Sequence, residues 1–264
     1  MVVSPEDAIC RVTISRPRDR NSIHSELMIE LHDFMDEVEK TSIRAVVFSG
    51  AGETHFIGGA DGVEMMQLQP QEAFRFSRRI QALFNRMESS PLVLVAAIDG
   101  LCFGGGFEFA MACDLRVASL RSRIGLPEVK VGLIPGGGGT QRLSRLVGFG
   151  RALEMILSGR LYKGDEAAAL GLVHLVVDHD ELDEGVRILL EPVLRQPQFA
   201  LSLAKRAVYA ARTGSVEAGL GLESEQFSHC FEQDFFRNLM REQLKSGALT
   251  TSADISHLFP EEEE

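Results

Sequence analysis

Ile98-Asp99-Gly100-Leu101-Cys102-Phe103-Gly104-Gly105-Gly106-Phe107-Glu108-Phe109-Ala110 sets a glycine triplet between an apolar strand and a short apolar helix. Glycine lets a backbone come close to a ligand. Free N–H groups at a helix start carry partial positive charge, which suits an anionic oxygen. The same residues could form a tight packing turn or a phosphate loop. A phosphate loop is disfavoured, because neither a G-K-[ST] ending nor a full G-x-G-x-x-G order with its acidic ribose partner is present.

Two neighbouring segments sharpen the reading. Thr54-His55-Phe56-Ile57-Gly58-Gly59-Ala60-Asp61-Gly62 is a second glycine-containing loop after a strand. Backbone donors from two separate loops are what a carbonyl oxygen gaining negative charge requires. Downstream, Gly125-Leu126-Pro127-Glu128-Val129 places one acidic residue in a largely apolar segment. It stands just ahead of Gly136-Gly137-Gly138-Gly139-Thr140-Gln141-Arg142-Leu143, a glycine-rich helix entry. Glu128 is a candidate acid or base whose pKa would rise on burial.

Outward from this centre the pattern alternates strand and helix. Ala8 to Ile14 alternates as a strand, Ala45 to Phe48 and Val93 to Ile98 have the richness of buried strands, and Leu115–Ala118 and Val173–Val177 are shorter candidates. Helical spacing runs from Ser25 to Lys40 and from about Gln71 to Met87, with acidic residues on the outer face of the first. Strand, helix, strand in this order predicts right-handed crossovers and parallel pairing. Beyond Asp180 the pattern is helical: Leu182–Leu194, Phe199–Arg212, Ser215–Glu232 and Phe235–Lys245.

Composition excludes several classes. With 45% hydrophobic and 25% charged residues, 264 residues support a folded domain of ordinary type and neither disorder nor a repeat fibre. The apolar run Pro91–Ile98 is far short of the roughly 20 residues that span a bilayer. A formal net charge of −11 and an acidic first helix argue against nucleic acid. Cys10, Cys102, Cys113 and Cys230 form no C-x-x-C pair, and the seven histidines have no ligand spacing, so no metal or disulfide is expected. His24 and His32 read as helix surface. The N-terminus lacks signal or transit character, and the cytoplasm is the expected location.

Taken together, G-x-x-x-G-G-G-x-E-x-A, C-D-x-R-V-A, G-x-P-E-V and G-L-I-P-G-G-G-G-T-Q-R-L between Ile98 and Leu146 resemble the crotonase, or enoyl-CoA hydratase/isomerase, superfamily. The likeness runs from about Ile9 to Leu244. It implies an α/β fold, the crotonase-type (ClpP/crotonase) spiral of β-β-α units with two roughly perpendicular sheets and a C-terminal helical region. It also implies a core over 1–195, a helical trimerisation region with an acidic tail over 196–264, and a homotrimer or dimer of trimers.

The resemblance places the oxyanion-binding N–H groups at Ala60 and Gly105 and the two carboxylates of a hydratase at Glu108 and Glu128. Glu108 would deprotonate the water that attacks C3, and Glu128 would protonate C2 of an enoyl-CoA. No metal or redox cofactor is implied, and coenzyme A enters as part of the acyl thioester substrate. Contacts to that substrate are expected from Arg16, Arg20, Ser22, Gly58, Gly59, Asp61, Gly62, Gly104, Pro127 and Gly136. For the loop Arg16-Pro17-Arg18-Asp19-Arg20-Asn21-Ser22-Ile23, helix capping by Asn21 or Ser22 stands beside the arginine–phosphate reading.

Departures from the family pattern matter. Gly136 stands where dienoyl-CoA isomerases and aryl dehalogenases of the family carry an aspartate, which disfavours those two activities. Gly62 replaces the usual Ile or Leu. Gly247–Ser252 replaces a segment whose lysine often meets CoA. A Δ3,Δ2-enoyl-CoA isomerase and a non-catalytic acyl-CoA-binding subunit are the alternatives. The isomerase is disfavoured by Glu108 and the subunit by both carboxylates.

Overall fold

Val93–Ile98 is buried at every position and runs through the middle of a six-stranded sheet. The structure, a computed structural model, describes residues 1–6, 8–212 and 214–246. In chain order the strands are β1 (Val2–Glu6), β2 (Ile9–Ile14), β3 (Ala45–Gly50), β4 (His55–Ile57), β5 (Val93–Ile98), β6 (Leu101–Phe103), β7 (Leu115–Ser119), β8 (Arg123–Gly125), β9 (Leu161–Lys163) and β10 (Leu175–Val177). The α-helices are α1 (Ser25–Val38), α2 (Gly62–Met66), α3 (Pro70–Glu88), α4 (Gly105–Ala112), α5 (Gly139–Val147) and α6 (Phe149–Ser158). They continue with α7 (Gly164–Ala169), α8 (Leu182–Leu194), α9 (Gln198–Ala210), α10 (Val216–Cys230) and α11 (Phe235–Ser246).

The large sheet has the order β1-β2-β3-β5-β7-β10, and all its pairs are parallel except β1 with β2. The small sheet has the order β4-β6-β8-β9. Three times in succession a strand of the large sheet is followed at once by one of the small sheet and then by helix: β3-β4, β5-β6 and β7-β8. This is the expected β-β-α repeat. The parallel pairing inferred from strand-helix-strand order holds, while β1 and the three-residue strands of the small sheet had no periodic signal to reveal them.

Helix α4 is buried at all eight positions. Phe109 is its anchor: its ring packs edge-on against Phe48 of β3 at 5.0 Å, Phe84 of α3 at 5.9 Å and Phe56 of β4 at 6.2 Å between centroids. Each such pair contributes about 0.5–1.5 kcal/mol beyond its buried area. With Phe107 also buried, the side chain between them, Glu108, has to enter the core. On the α4 face toward β4, a Cβ at Gly106 would lie 2.0 Å from the Ile57 carbonyl, so only glycine permits this approach.

Asn21 ties two loops together. Its amide donates to the carbonyls of Ala51 at 2.9 Å and His55 at 2.8 Å and accepts from the Arg16 N–H at 2.9 Å. Neither Asn21 nor Ser22 caps α1, contrary to the capping reading. The N-cap is His24, without a side-chain bond, and the first N–H of the helix, at Ser25, goes instead to Glu64. Asn21→Ala is expected to lower the unfolding free energy by about 1–3 kcal/mol, the cost of stranding a buried polar partner. The check is the urea midpoint at unchanged slope; an unmoved midpoint would show that solvent replaces the amide.

The chain divides into Met1–Ser202 and Leu203–Glu264. Arg44 carries the first unit past residue 195, donating to the Leu194 carbonyl and to Gln198, which itself donates to the Pro91 carbonyl at 2.8 Å. The second unit contains α10 and α11, with Phe231 packed against Phe227 and Phe236. The acidic tail and the Gly247–Ser252 segment lie outside the described residues.

Candidate active site

Gly104 turns the chain at φ +57° to enter α4, and Gly105 supplies the first helical N–H, which has no intrahelical acceptor. The second donor comes from an isolated parallel bridge between Ile23 and Ala60. Ile23 donates to the Gly59 carbonyl and accepts from the Asp61 N–H, both at 2.8 Å. Parallel pairing through the two flanking residues turns the Ala60 N–H to the opposite side. That side is where Gly105 lies: a Cβ on Gly105 would stand 3.1 Å from the Ala60 nitrogen. Among the described residues neither N–H has a hydrogen-bond acceptor.

The Ala60 turn is braced from behind. Asp61 caps α2, its Oδ1 accepting from the N–H groups of Val63 at 3.0 Å and Glu64 at 3.1 Å. Its Oδ2 accepts from Arg16 at 3.2 Å and Ser22 at 3.3 Å. Arg16 also bonds the Ser22 carbonyl and Asp19, and Gly58 donates to the Arg20 carbonyl at 2.8 Å. The polar atoms of Arg16, Ser22 and Asp61 are thus engaged with one another. Arg18 and Arg20 are exposed, and their side chains make no hydrogen bond or ion pair among the described residues. Gly62 adjoins open space, with nothing within 4 Å of where its Cβ would be.

Glu108 is 2% exposed, and its Oε1 accepts from the N–H groups of Gly137 at 2.8 Å and Gly139 at 2.6 Å. Its Oε2 accepts no hydrogen bond within the described residues. Burial raises the pKa of this carboxyl, while the two N–H donors and the nearby Arg142 pull it back. Glu128 follows Pro127 in a short 3-10 turn and approaches the other side of the Gly104 turn, where a Cβ on Gly104 would lie 3.3 Å from its Oε1. Glu128 Oε2 is buried and has no hydrogen-bond partner among the described residues. Burial, reinforced by the charge of Glu108, pushes the Glu128 carboxyl up from the ordinary 4.5 to about 7.

Gly136 lies at the rim, its carbonyl held by Ser77 at 2.7 Å and Gln81 at 2.9 Å. The structure therefore brings together Gly59, Ala60, Gly104, Gly105, Glu108 and Glu128. One carboxyl is held by two N–H donors, one is poised near neutrality, and a pair of unpaired N–H groups stands beside them. Such a set can stabilise an oxyanion while moving a proton at two positions.

The enoyl-CoA hydratase/isomerase family matches residues 4–246. The chain belongs to this family. Among its enoyl-CoA hydratase/isomerase relatives, the short-chain-enoyl-CoA hydratase of Clostridium acetobutylicum is 36% identical over 91% of this chain and 92% of its own. The crotonyl-CoA hydratase of Syntrophomonas wolfei is 32% identical over 88% of this chain and 89% of its own. In three dimensions the fold is similar to the crystal structure of an enoyl-CoA hydratase from Bacillus anthracis. The TM-score is 0.86 and the identity 32%, over 92% of this chain and 96% of that one. The architecture is accordingly the crotonase fold.

For this enoyl-CoA hydratase/isomerase family member, sequence reasoning missed the backbone donors Gly137 and Gly139 and the side chain of Arg142. The glycine run was visible, but it read only as a helix entry. A D-x-x-E pattern, Asp61 to Glu64, could have flagged the α2 cap.

Proposed function

We propose that the chain is an enoyl-CoA hydratase, adding water across the C2=C3 bond of a 2-enoyl-CoA to give a 3-hydroxyacyl-CoA. The observation that carries this reading is the juxtaposition of two differently held carboxyls with the unpaired N–H groups of Ala60 and Gly105. As water adds, negative charge gathers on the thioester oxygen, and the two N–H groups receive it. Glu108, with Oε1 fixed, takes a proton from water at Oε2 as the water oxygen bonds to C3. Glu128 then delivers its proton to C2. The addition is redox-neutral, with its protons moved by two carboxyl groups and its charge received by two N–H groups, so neither a metal nor a redox cofactor is needed. An isomerase moving one proton between C2 and C4 would leave Glu108 idle.

The relatives named for short-chain and crotonyl substrates support the acyl thioester class. A homotrimer or dimer of trimers fits the apolar side chains that α10 and α11 leave exposed, among them Val216, Phe227 and Phe235; a monomeric mass in solution would overturn it. A reducing, cytoplasmic setting fits the free, buried thiols of Cys10 and Cys102. No helix among the described residues is long and apolar enough to cross a membrane.

A pH prediction follows from Glu128. Its carboxyl holds a proton in the folded chain up to about 7 but releases it near 4.5 when unfolded. The native state therefore binds more protons across that window, and this group's contribution to stability falls as pH rises from 4.5 to 7. Glu128→Gln, which has no charge to bury, is expected to melt higher than the wild type at pH 8 and equally near pH 4. Its turnover should fall by about 10²–10⁴-fold, the usual worth of a general acid. Equal melting at pH 8 would contradict the burial argument.

The function itself is tested by the loss of conjugated-thioester absorbance on mixing the protein with crotonyl-CoA and with longer and cyclic enoyl-CoAs. Rapid loss with a hydrated product by mass is expected. No loss across the panel, with conversion of a 3-enoyl-CoA to the conjugated isomer, would replace this reading by the isomerase.

A further inference from the structure

Glu108 Oε1 depends on two peptide N–H groups drawn from four consecutive glycines, Gly136 to Gly139. Glycine peptides have little steric restraint of their own, so either plane could rotate and present a carbonyl to the carboxylate. Each plane is instead fixed through its carbonyl edge. In a trans peptide the C=O and the following N–H point oppositely, so holding one aims the other. The Gly136 carbonyl, in the plane that carries the Gly137 N–H, accepts from Ser77 Oγ at 2.7 Å and Gln81 Nε2 at 2.9 Å. The Gly138 carbonyl, in the plane that carries the Gly139 N–H, accepts from the backbone of Gln141 at 3.0 Å and Arg142 at 2.9 Å as α5 begins.

The middle plane is held by a buried guanidinium. Arg142 Nη1 donates to the Gly137 carbonyl at 2.8 Å. The rest of its fork is anchored on α3, with Nε to Glu88 at 2.8 Å, Nη2 to Glu88 at 3.2 Å and Nη2 to Asn85 at 2.8 Å. Phe84 lies 5.8 Å away. Gly138, at φ +104°, leaves the space that Nη1 fills, since a Cβ there would stand 2.2 Å from that atom. The Glu88 carboxylate balances the Arg142 charge, so geometry is the main contribution of this side chain.

We propose that Ser77, Gln81 and Arg142 are positioning residues: Ser77 and Gln81 aim the Gly137 N–H at Glu108 Oε1 through the Gly136 carbonyl, and Arg142 locks the intervening Gly137–Gly138 plane so that the Gly137 and Gly139 N–H groups stay in register on that oxygen and leave Oε2 free to take a proton. The proposal rests on the hydratase reading for the use of that proton, but the aiming can be measured without it.

Arg142→Lys keeps the charge and loses the fork. It is expected to lower kcat by about 10- to 100-fold, the scale of a misplaced reacting group, with KM within about twofold. Glu108 without its donors ionises less readily, so the acid limb of the kcat–pH profile should move to higher pH. The paired Ser77→Ala and Gln81→Met variant, altered at half-buried positions, should shift the same limb while melting close to the wild type. A 13C carboxyl titration of Glu108, assigned by its absence in Glu108→Gln, reads the same quantity without turnover, and its midpoint should rise in both variants. A lowered melting temperature with an unmoved midpoint and an unmoved acid limb would reduce Arg142 to a structural tie and overturn the proposal. If the wild type hydrates nothing but the midpoint still moves, the hydratase reading fails and the aiming stands.

Discussion

Glu108→Gln is expected to lower hydration of crotonyl-CoA by about 10²–10⁴-fold, the range for removing a positioned general base. The substitution keeps the shape of the side chain, and the amide oxygen can still accept from Gly137 and Gly139. What changes is the other atom: an NH2 replaces Oε2 and cannot take a proton from water. The N–H groups of Ala60 and Gly105 and the Ala60 turn are untouched, so an acyl-CoA product analogue should bind with near wild-type affinity. Steady-state turnover together with calorimetric binding separates the two effects. Undiminished kcat would remove Glu108 from the base role and leave Glu128 to move both protons.

A comparable loss is expected from Gly105→Ala, by a different route. The added methyl would stand 3.1 Å from the Ala60 nitrogen and 3.4 Å from the Gly59 carbonyl carbon. Contacts this close press against the Gly59–Ala60 peptide, so the methyl both covers the Ala60 N–H and pushes the two loops apart. Loss of one oxyanion donor typically costs about 2.7–4 kcal/mol of transition-state stabilisation, or roughly 10²–10³ in rate. The effect should fall on kcat/KM, because the oxygen gains charge only as water adds. Gly150→Ala, in α6 where a Cβ meets nothing within 4 Å, is the control for a generic glycine replacement. Equal activity of the two variants would mean that the Ala60–Gly105 gap is not where the thioester oxygen binds.

Much of the frame was legible beforehand. Val93–Ile98 and Leu182–Leu194 were readable to the residue, and α1 and α3 within two residues at each end, because apolar spacing over long segments survives folding unchanged. Three-residue strands such as β4, β6, β8 and β9 are too short to carry a period. They exist because neighbouring strands supply their hydrogen bonds. Motif transfer gave no sign of the intramolecular bonding in this loop: the fork of Arg16, a residue expected to contact substrate, holds Ser22, Asp19 and Asp61.

By itself the sequence determined the residue types: two glycine loops, two glutamates in apolar surroundings, and the strand-helix alternation that makes a parallel sheet. Those are local properties, written in spacing and in side-chain chemistry. Only the tertiary structure decided that the Ala60 and Gly105 N–H groups meet, that Gly137 and Gly139 hold Glu108, and that Glu128 has an unpaired oxygen and a pKa near 7. The physical reason is that backbone donors have no side chain to announce them. Their direction and the burial of a carboxyl are set by groups distant in the chain, as when Arg142 reaches Glu88 across 54 positions.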